Sequence, residues 1–589
     1  MARGTQAFLA KAGASALALL LLSGCSLSQE ESPREQDRVT FKVTGTDGRL
    51  LDNVNETLSA LPAIPARRAR SFTREIRDKT ALALRALGYY HPGIEITVPE
   101  RDSFSREVEV QIDPGKPLYI REAHLEILGE GAGYASFRRL LERSGIKPYA
   151  VLDHGAYEKL KADLRANAMA LGFFDAKLLY SRIMVYDDQN RADIALVLDT
   201  GKRYSFGALI ADAQTQELLE PAQSLFTLNR GTPFSSKALN DFQSSMSQTG
   251  FYRSVDVQPR TDKLANREVP LELHLERKSK NLMRLGAGYS TDERFRVLAE
   301  WDKPLLNRYG HSLSTYARIS AIKRNAEVIY KIPRKDPNLD YYYVRLAQLH
   351  TDFNDTLSDL SHASFHYVQN HTGKWRRDWS LRAEYEDYTQ GSDSGTAVNL
   401  MPGIQLSRRE SSGGQDPHFG YSVSGDFSGG TRAFSDYDFF RAVLSFRGVL
   451  SPTENTRFIF RLTQGITAGR DAAKVPPSLR FFAGGDRSVR GFGYMSKAPR
   501  NSGGLNGGKY LSLGSAEFQF PVGIENSRGA VFLDAGKAYS KTETGDMLWG
   551  PGIGYRYVSG YGTVSVDLAC GISDDDTSFK LHFAFGPEF

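Results

Sequence analysis

From about Lys280 to Phe589 the chain alternates: short segments place apolar residues at every second position, and polar loops separate the segments. Trp379, Leu381, Ala383 and Tyr385 interleave with Ser380, Arg382, Glu384 and Glu386. Phe458, Phe460 and Leu462 interleave with Arg461 and Thr463, and Phe579, Leu581, Phe583 and Phe585 with Lys580, His582 and Ala584. Successive side chains of a strand point to opposite faces, so each segment predicts a strand with one apolar and one polar face. An apolar exterior around a wet lumen is the pattern of a transmembrane barrel, and at roughly 10 residues per strand plus loops this region has room for about 16 strands. A soluble β-sandwich alternates in the same way. The leader described next and the terminal aromatic Phe589 argue for the membrane instead.

Hydropathy does not oppose this reading. The mean hydropathy is -0.39 and 24% of residues are charged, but barrel strands barely raise the average. The 33 Phe and 28 Tyr suit the aromatic girdles that barrels place at the membrane interfaces. The one long apolar run, Ala12 to Gly24, is shorter than the about 20 residues of a spanning helix. Arg3 and Lys11 precede it and Leu22-Ser23-Gly24-Cys25 ends it, which predicts a secretory signal over residues 1–24. Residues 25–38 are polar and charged and read as a linker. A net charge of +5 over 589 residues gives no reason to invoke nucleic acid.

At 589 residues the chain exceeds a single hydrophobic core, and the stretch before the barrel repeats itself. Each unit has an amphipathic helix followed by Gly and two aromatics. The first offers Phe72, Ile76, Ala83 and Leu87, then Gly88-Tyr89-Tyr90. The second offers Tyr157, Leu160, Leu164, Ala168 and Leu171, then Gly172-Phe173-Phe174; the third offers Leu239, Phe242 and Met246, then Gly250-Phe251-Tyr252. Spacings of three and four put these groups on one stripe, and the Gly stops the helix by accepting a left-handed conformation. Alternating strands follow, with Ile94, Ile96, Val98, Val108, Val110 and Ile112 in the first unit and Val255, Val257, Leu271, Leu273 and Leu275 in the third. The turns Asp113-Pro114-Gly115-Lys116 and Asp199-Thr200-Gly201-Lys202 also recur.

This order resembles the polypeptide-transport-associated (POTRA) domain, strand-helix-helix-strand-strand. The boundaries that follow are 39–119, 120–205 and 206–278, with the barrel at 279–589. A POTRA sheet edge can pair with an extended chain through backbone bonds; such units also serve as spacers or docking modules.

Within the barrel region, Arg480-Phe481-Phe482-Ala483-Gly484-Gly485-Asp486-Arg487-Ser488-Val489-Arg490-Gly491-Phe492 resembles the inward-folded loop of the BamA-like outer-membrane protein assembly superfamily. Gly514 to Val522 resembles its following strand and Phe532-Leu533-Asp534-Ala535-Gly536 the next motif. Gly286 to Asp292 fits the first barrel strand and Gly586-Pro587-Glu588-Phe589 the ending. With three POTRA units, the chain is similar to the TamA-like branch, the outer-membrane subunits of translocation and assembly modules. Two departures stand out. Leu-Ser-Gly-Cys resembles a lipobox and implies lipidation of Cys25, where the branch has a plain signal peptide. The segment Tyr561 to Asp567 lacks the Gly-Pro of many relatives.

The resemblance implies a bacterial outer-membrane protein with POTRA domains in the periplasm, a TamB-like partner anchored in the inner membrane, unfolded outer-membrane clients such as autotransporters, and contact with outer-membrane lipid. It pairs Arg490 with Asp534. Glu517 lies on a facing strand, and Glu517 and Gln519 are expected inward of Phe518 and Phe520. A charge in a confined lumen needs partners, and the planar fork of Arg suits carboxylates. The expected loop site is therefore Val489, Arg490, Gly491, Phe492, Glu517, Asp534 and Gly536. The expected seam is Gly286 and Gly288 on the first strand with Gly586 and Phe589 at the end. Glycines weaken a strand and Pro587 removes a ladder donor, so the seam could open sideways.

No catalytic residue, cofactor or metal site is expected. Gly503-Gly504-Leu505-Asn506-Gly507-Gly508-Lys509 mimics a phosphate loop, but Tyr510 replaces the Ser or Thr. The 11 His lack metal spacing. The alternatives are an endpoint of phospholipid transport between membranes, which would use the same seam, a two-partner secretion transporter, and a diffusion porin.

Overall fold

The computed structural model describes residues 39–589 except 63, 65, 99–106, 371–374, 413–416, 454–455, 503, 541–546, 560–561, 575 and 587–589. The leader, the linker with Cys25, and Pro587 to Phe589 lie outside the described residues. By internal contacts the described residues form two compact units, divided after 204, with 233–236 belonging to the first unit.

The first unit holds two three-stranded sheets. In one, Thr40–Thr44 pairs in parallel and Gly93–Thr97 antiparallel with a central Glu107–Asp113. Helices Gly48–Ser59 and Thr73–Ala86 cover it. Ile76, Ala83 and Leu84 from the second helix pack with Val108, Val110 and Ile112, all buried. In the other, Tyr119–Leu128 and Lys177–Tyr186 flank Arg191–Asp199, covered by Ala135–Arg143 and His154–Ala170. Tyr157, Leu160, Leu164 and Ala168 form the inward stripe of the longer helix. In the recurrent turns, the amides of Gly115 and Gly201 donate to the side chains of Asp113 and Asp199 at 3.1 and 2.9 Å, so each Asp closes its own turn.

The second unit opens with the third such sheet, Ser205–Ile210 and Tyr252–Pro259 around Glu268–Arg277, with helices Ala213–Leu219 and Ser236–Gln248. Leu239, Phe242 and Met246 are buried. The stop at each repeated helix has its expected geometry: Gly88, Gly172 and Gly250 have φ of 90, 87 and 74°.

A 16-stranded antiparallel sheet follows, from Leu282–Ser290 to Thr577–Gly586. Trp379, Leu381 and Tyr385 are exposed on its outer face, while Asp378, Glu384 and Glu386 are buried inside. That division follows from the alternation, since lipid accepts apolar groups and the lumen must satisfy the polar ones. Among the described residues no helix is long and apolar enough to cross a membrane. The phosphate-loop look-alike lies in the long connection before strand Tyr510–Pro521, and Gly503 itself is outside the described residues.

Candidate functional site

The connection 469–509 joins strands Thr456–Ala468 and Tyr510–Pro521 and folds back onto the inner wall. An apolar cluster seats it: Val489 and Phe492 are buried with Phe481, Ala483, Leu511, Ala538 and Leu548. Other ties fix its flanks. Gln390 Nε2 donates to Leu505 O at 2.6 Å and the Leu505 amide to Asp355 Oδ2 at 2.8 Å, and Lys323 Nζ donates to Tyr494 OH at 2.7 Å.

Arg490 lies at the centre of this seat and is 2% exposed. Its Nε and Nη2 donate to the two oxygens of Asp534 at 2.7 and 2.9 Å, and its own amide adds a third bond to Asp534 at 3.0 Å. Nη1 reaches Glu517 at 2.8 Å and Asp567 at 3.1 Å. A second guanidinium, Arg556, donates to Glu517 at 2.9 and 3.1 Å and to Asp567 at 2.5 Å. Ser515 Oγ donates to Asp534 at 2.6 Å, and Arg461 Nη2 to Ser515 at 3.2 Å. Two guanidinium groups therefore bond three carboxylates directly, a third reaches Asp534 through Ser515, and nearly every carboxylate lone pair has a donor. That balance is what a buried charge cluster requires. The Arg490 guanidinium also lies 3.3 Å from the centroid of the Phe532 ring.

Strand register explains the convergence. Arg461 lies opposite Ser515, and Ser515 opposite Asp534. Glu517 and Gln519 are buried on the lumenal face, and Gln519 Nε2 donates to Glu517 at 2.9 Å. One glycine leaves room between loop and wall, and another between neighbouring strands. Gly491 has φ of 96° and a Cβ there would sit 2.3 Å from the Gly571 nitrogen; at Gly536 a Cβ would sit 2.4 Å from Ser512 O.

The structure thus brings together Val489, Arg490, Gly491, Phe492, Glu517 and Asp534, while Gly536 lies against Ser512 and Leu513 of the neighbouring strand. Sequence reasoning missed Arg556 and Asp567. Alternation carried the signal for both: Tyr555 and Tyr557 are exposed on the outer face, which turns Arg556 inward.

The expected seam is a separate place. First and last strands are the two ends of the sheet, and no ladder joins them among the described residues. The Phe583 amide donates to Thr291 Oγ1 at 3.4 Å, and the rings of Tyr289 and Phe583 are 6.3 Å apart. Gly286 and Gly288 lie on the first strand opposite Leu298 and Arg296 of its one ladder partner. Gly586 ends the last strand opposite Thr563. Phe589 and Cys25 are outside the described residues.

Comparison with known proteins gives two family matches. Residues 277–589 match the model of the Omp85 superfamily domain, and residues 40–114 that of POTRA domain TamA domain 1. Among solved structures, the chain is similar to BamA from Haemophilus ducreyi lacking POTRA domains 1-3. The identity is 15% and the TM-score 0.64, covering 79% of this chain and 99% of that one. It also matches CdiB from Acinetobacter baumannii at 12% identity and a TM-score of 0.44, over 92% of this chain and 99% of that one.

Proposed function

The chain belongs to the Omp85 superfamily, as an outer-membrane barrel with periplasmic POTRA domains of which the first is TamA-like, and from that premise we propose that it inserts or translocates client proteins through the seam between its first and last strands. Members of the superfamily are transporters and assembly factors. The observation that carries the route is that, among the described residues, no ladder joins those two strands, when every other neighbouring pair in the barrel is hydrogen-bonded. Unpaired strand edges are templates for another strand. A client strand, such as that of an autotransporter barrel, can add to either edge through backbone bonds without being read for sequence. Gly286 and Gly288 lie on one edge strand, and Gly586 ends the other.

The Arg490 network holds the inward loop beside this opening, with Val489 and Phe492 as apolar anchors and Gly491 giving the close approach. No step uses a bond-making residue or a cofactor; the folding energy of the client drives insertion. The POTRA domains would receive a TamB-like protein anchored in the inner membrane, Cys25 would carry a lipid, and the barrel wall contacts outer-membrane lipid.

Affinity purification of the tagged protein from mildly solubilised membranes tests the assignment. Recovery of one large inner-membrane-anchored periplasmic protein is expected. Recovery of a set of small lipoproteins, or of a single secreted exoprotein, would move the chain to the barrel-assembly machine or to two-partner secretion.

A further inference from the structure

The inward loop has a second fastening that the Arg490 network does not use. Asp292, in the turn after the first strand, Asp486 of the loop and His582 of the last strand bring one side-chain N or O each within 4.8 Å of one another. The Asp486 amide donates to Asp292 Oδ2 at 2.8 Å, and Thr291 Oγ1 donates to Asp486 Oδ1 at 3.3 Å. On the other side, His582 Nδ1 bonds Asp486 Oδ1, and the Gly491 amide donates to His582 Nε2 at 3.0 Å. Ser578 Oγ of the last strand donates to Gly491 O at 2.7 Å. The loop is therefore bonded to both edges of the seam at a place where the edges scarcely bond each other.

The bonds settle the state of the imidazole. A backbone amide can only donate, so Nε2 is the bare acceptor and Nδ1 carries the proton that goes to Asp486. This wiring also separates the cluster from a metal centre of the same composition. A metal on Nδ1 would need the proton on Nε2, where it would face the Gly491 N–H; ligating histidines donate from that nitrogen to an acceptor instead.

We infer that Asp292, Asp486 and His582 are positioning residues that clasp the inward loop across the unpaired seam and hold its two edges together. Its purpose rests on the seam being the client route; the clasp itself is a property of the resting barrel. It is softer than the Arg490 network for an electrostatic reason. There, charges balance. Here, two carboxylates share a small space, and burial first, then the Asp486 charge, push Asp292 up to about 6. The other charged groups facing the cluster are Lys580, which lowers the pKa of Asp292, and Asp567, opposite His582 on the neighbouring strand and held by Arg490 and Arg556. The loop can thus release the seam edges while Arg490 keeps it on the wall.

The test measures distances between spin labels in the full chain carrying Cys570→Ser. One pair spans the seam, at Leu285→Cys and Phe579→Cys, which are 81% and 73% exposed on the outer face. A control pair, Leu381→Cys and Leu444→Cys, lies elsewhere on the barrel. In His582→Leu and in Asp486→Asn, the long-distance population across the seam should rise about ten-fold, the scale of one lost hydrogen bond to a charged group, with the control pair unchanged. His582→Asn, which keeps a donor toward Asp486, should fall between wild type and His582→Leu. Unchanged seam distances in both variants, or equal broadening of the control pair, would overturn the clasp. So would a shift of the unsubstituted seam on adding zinc or a chelator, which would make the cluster a metal site. No client enters this readout, so its result stands apart from that of the proposed function.

Discussion

Removing the Arg490 side chain should cost far more than its exposure to any client would explain, and the cost should fall on Asp534. Arg490→Ala deletes four side-chain bonds, two of them to Asp534. Glu517 and Asp567 still have Arg556. Asp534, 1% exposed, is left with a backbone amide and Ser515. Stranding one member of a buried ion pair costs about 3–5 kcal/mol. Asp534→Ala should cost less, because Arg490 then retains Glu517 and Asp567. The double variant strands nothing, so it should be more stable than the sum of the two losses by about 2–3 kcal/mol, within the range of coupled contacts. The measurement is the denaturant midpoint of the barrel in detergent, read by its heat-modifiable mobility on gels, beside protease sensitivity of the loop. Losses that add to within about 0.5 kcal/mol, as for independent sites, would refute the network as the loop's anchor.

Two further outcomes follow from named positions. Gly491→Ala should dislodge the loop and expose it to protease, because the added Cβ meets the Gly571 backbone at 2.3 Å; Gly250→Ala, whose Cβ would meet nothing within 4 Å, should cost only the about 1–2 kcal/mol of a left-handed non-glycine residue. The carboxyl of Asp292, raised from 3.8 to about 6, favours the protonated form in the fold, so its contribution is fully present below pH about 4 and lost as pH rises through about 6. Loop protection near the seam should therefore weaken over that window, and Asp292→Asn should abolish the dependence; protection that is flat in the unsubstituted protein contradicts the burial argument.

Much of this architecture was legible in the chain because its signals are local. Alternation at Trp379 to Glu386 assigns both faces of a strand, and the glycines at 88, 172 and 250 mark helix ends by backbone freedom alone. The Arg490–Asp534 pair became legible through family resemblance, since nothing local says which carboxylate a lumenal Arg meets. Arg556 and Asp567 look like any inward polar residue until register brings them to Glu517. Asp292 and Asp486, 194 residues apart, carry no mutual signal in one sequence; their meeting depends on how the loop folds back and where the sheet's two ends stand.

Clients pass this barrel only if the seam opens, and a reversible lock reports on that step. Tyr289→Cys with Phe583→Cys, in the Cys570→Ser background, places two thiols where the ring centroids now lie 6.3 Å apart. The quantity to measure is the rate at which an unfolded autotransporter barrel inserts into vesicles containing the protein. Oxidation should abolish the acceleration and reductant should restore it. Equal insertion by the locked and the reduced protein would contradict a lateral route.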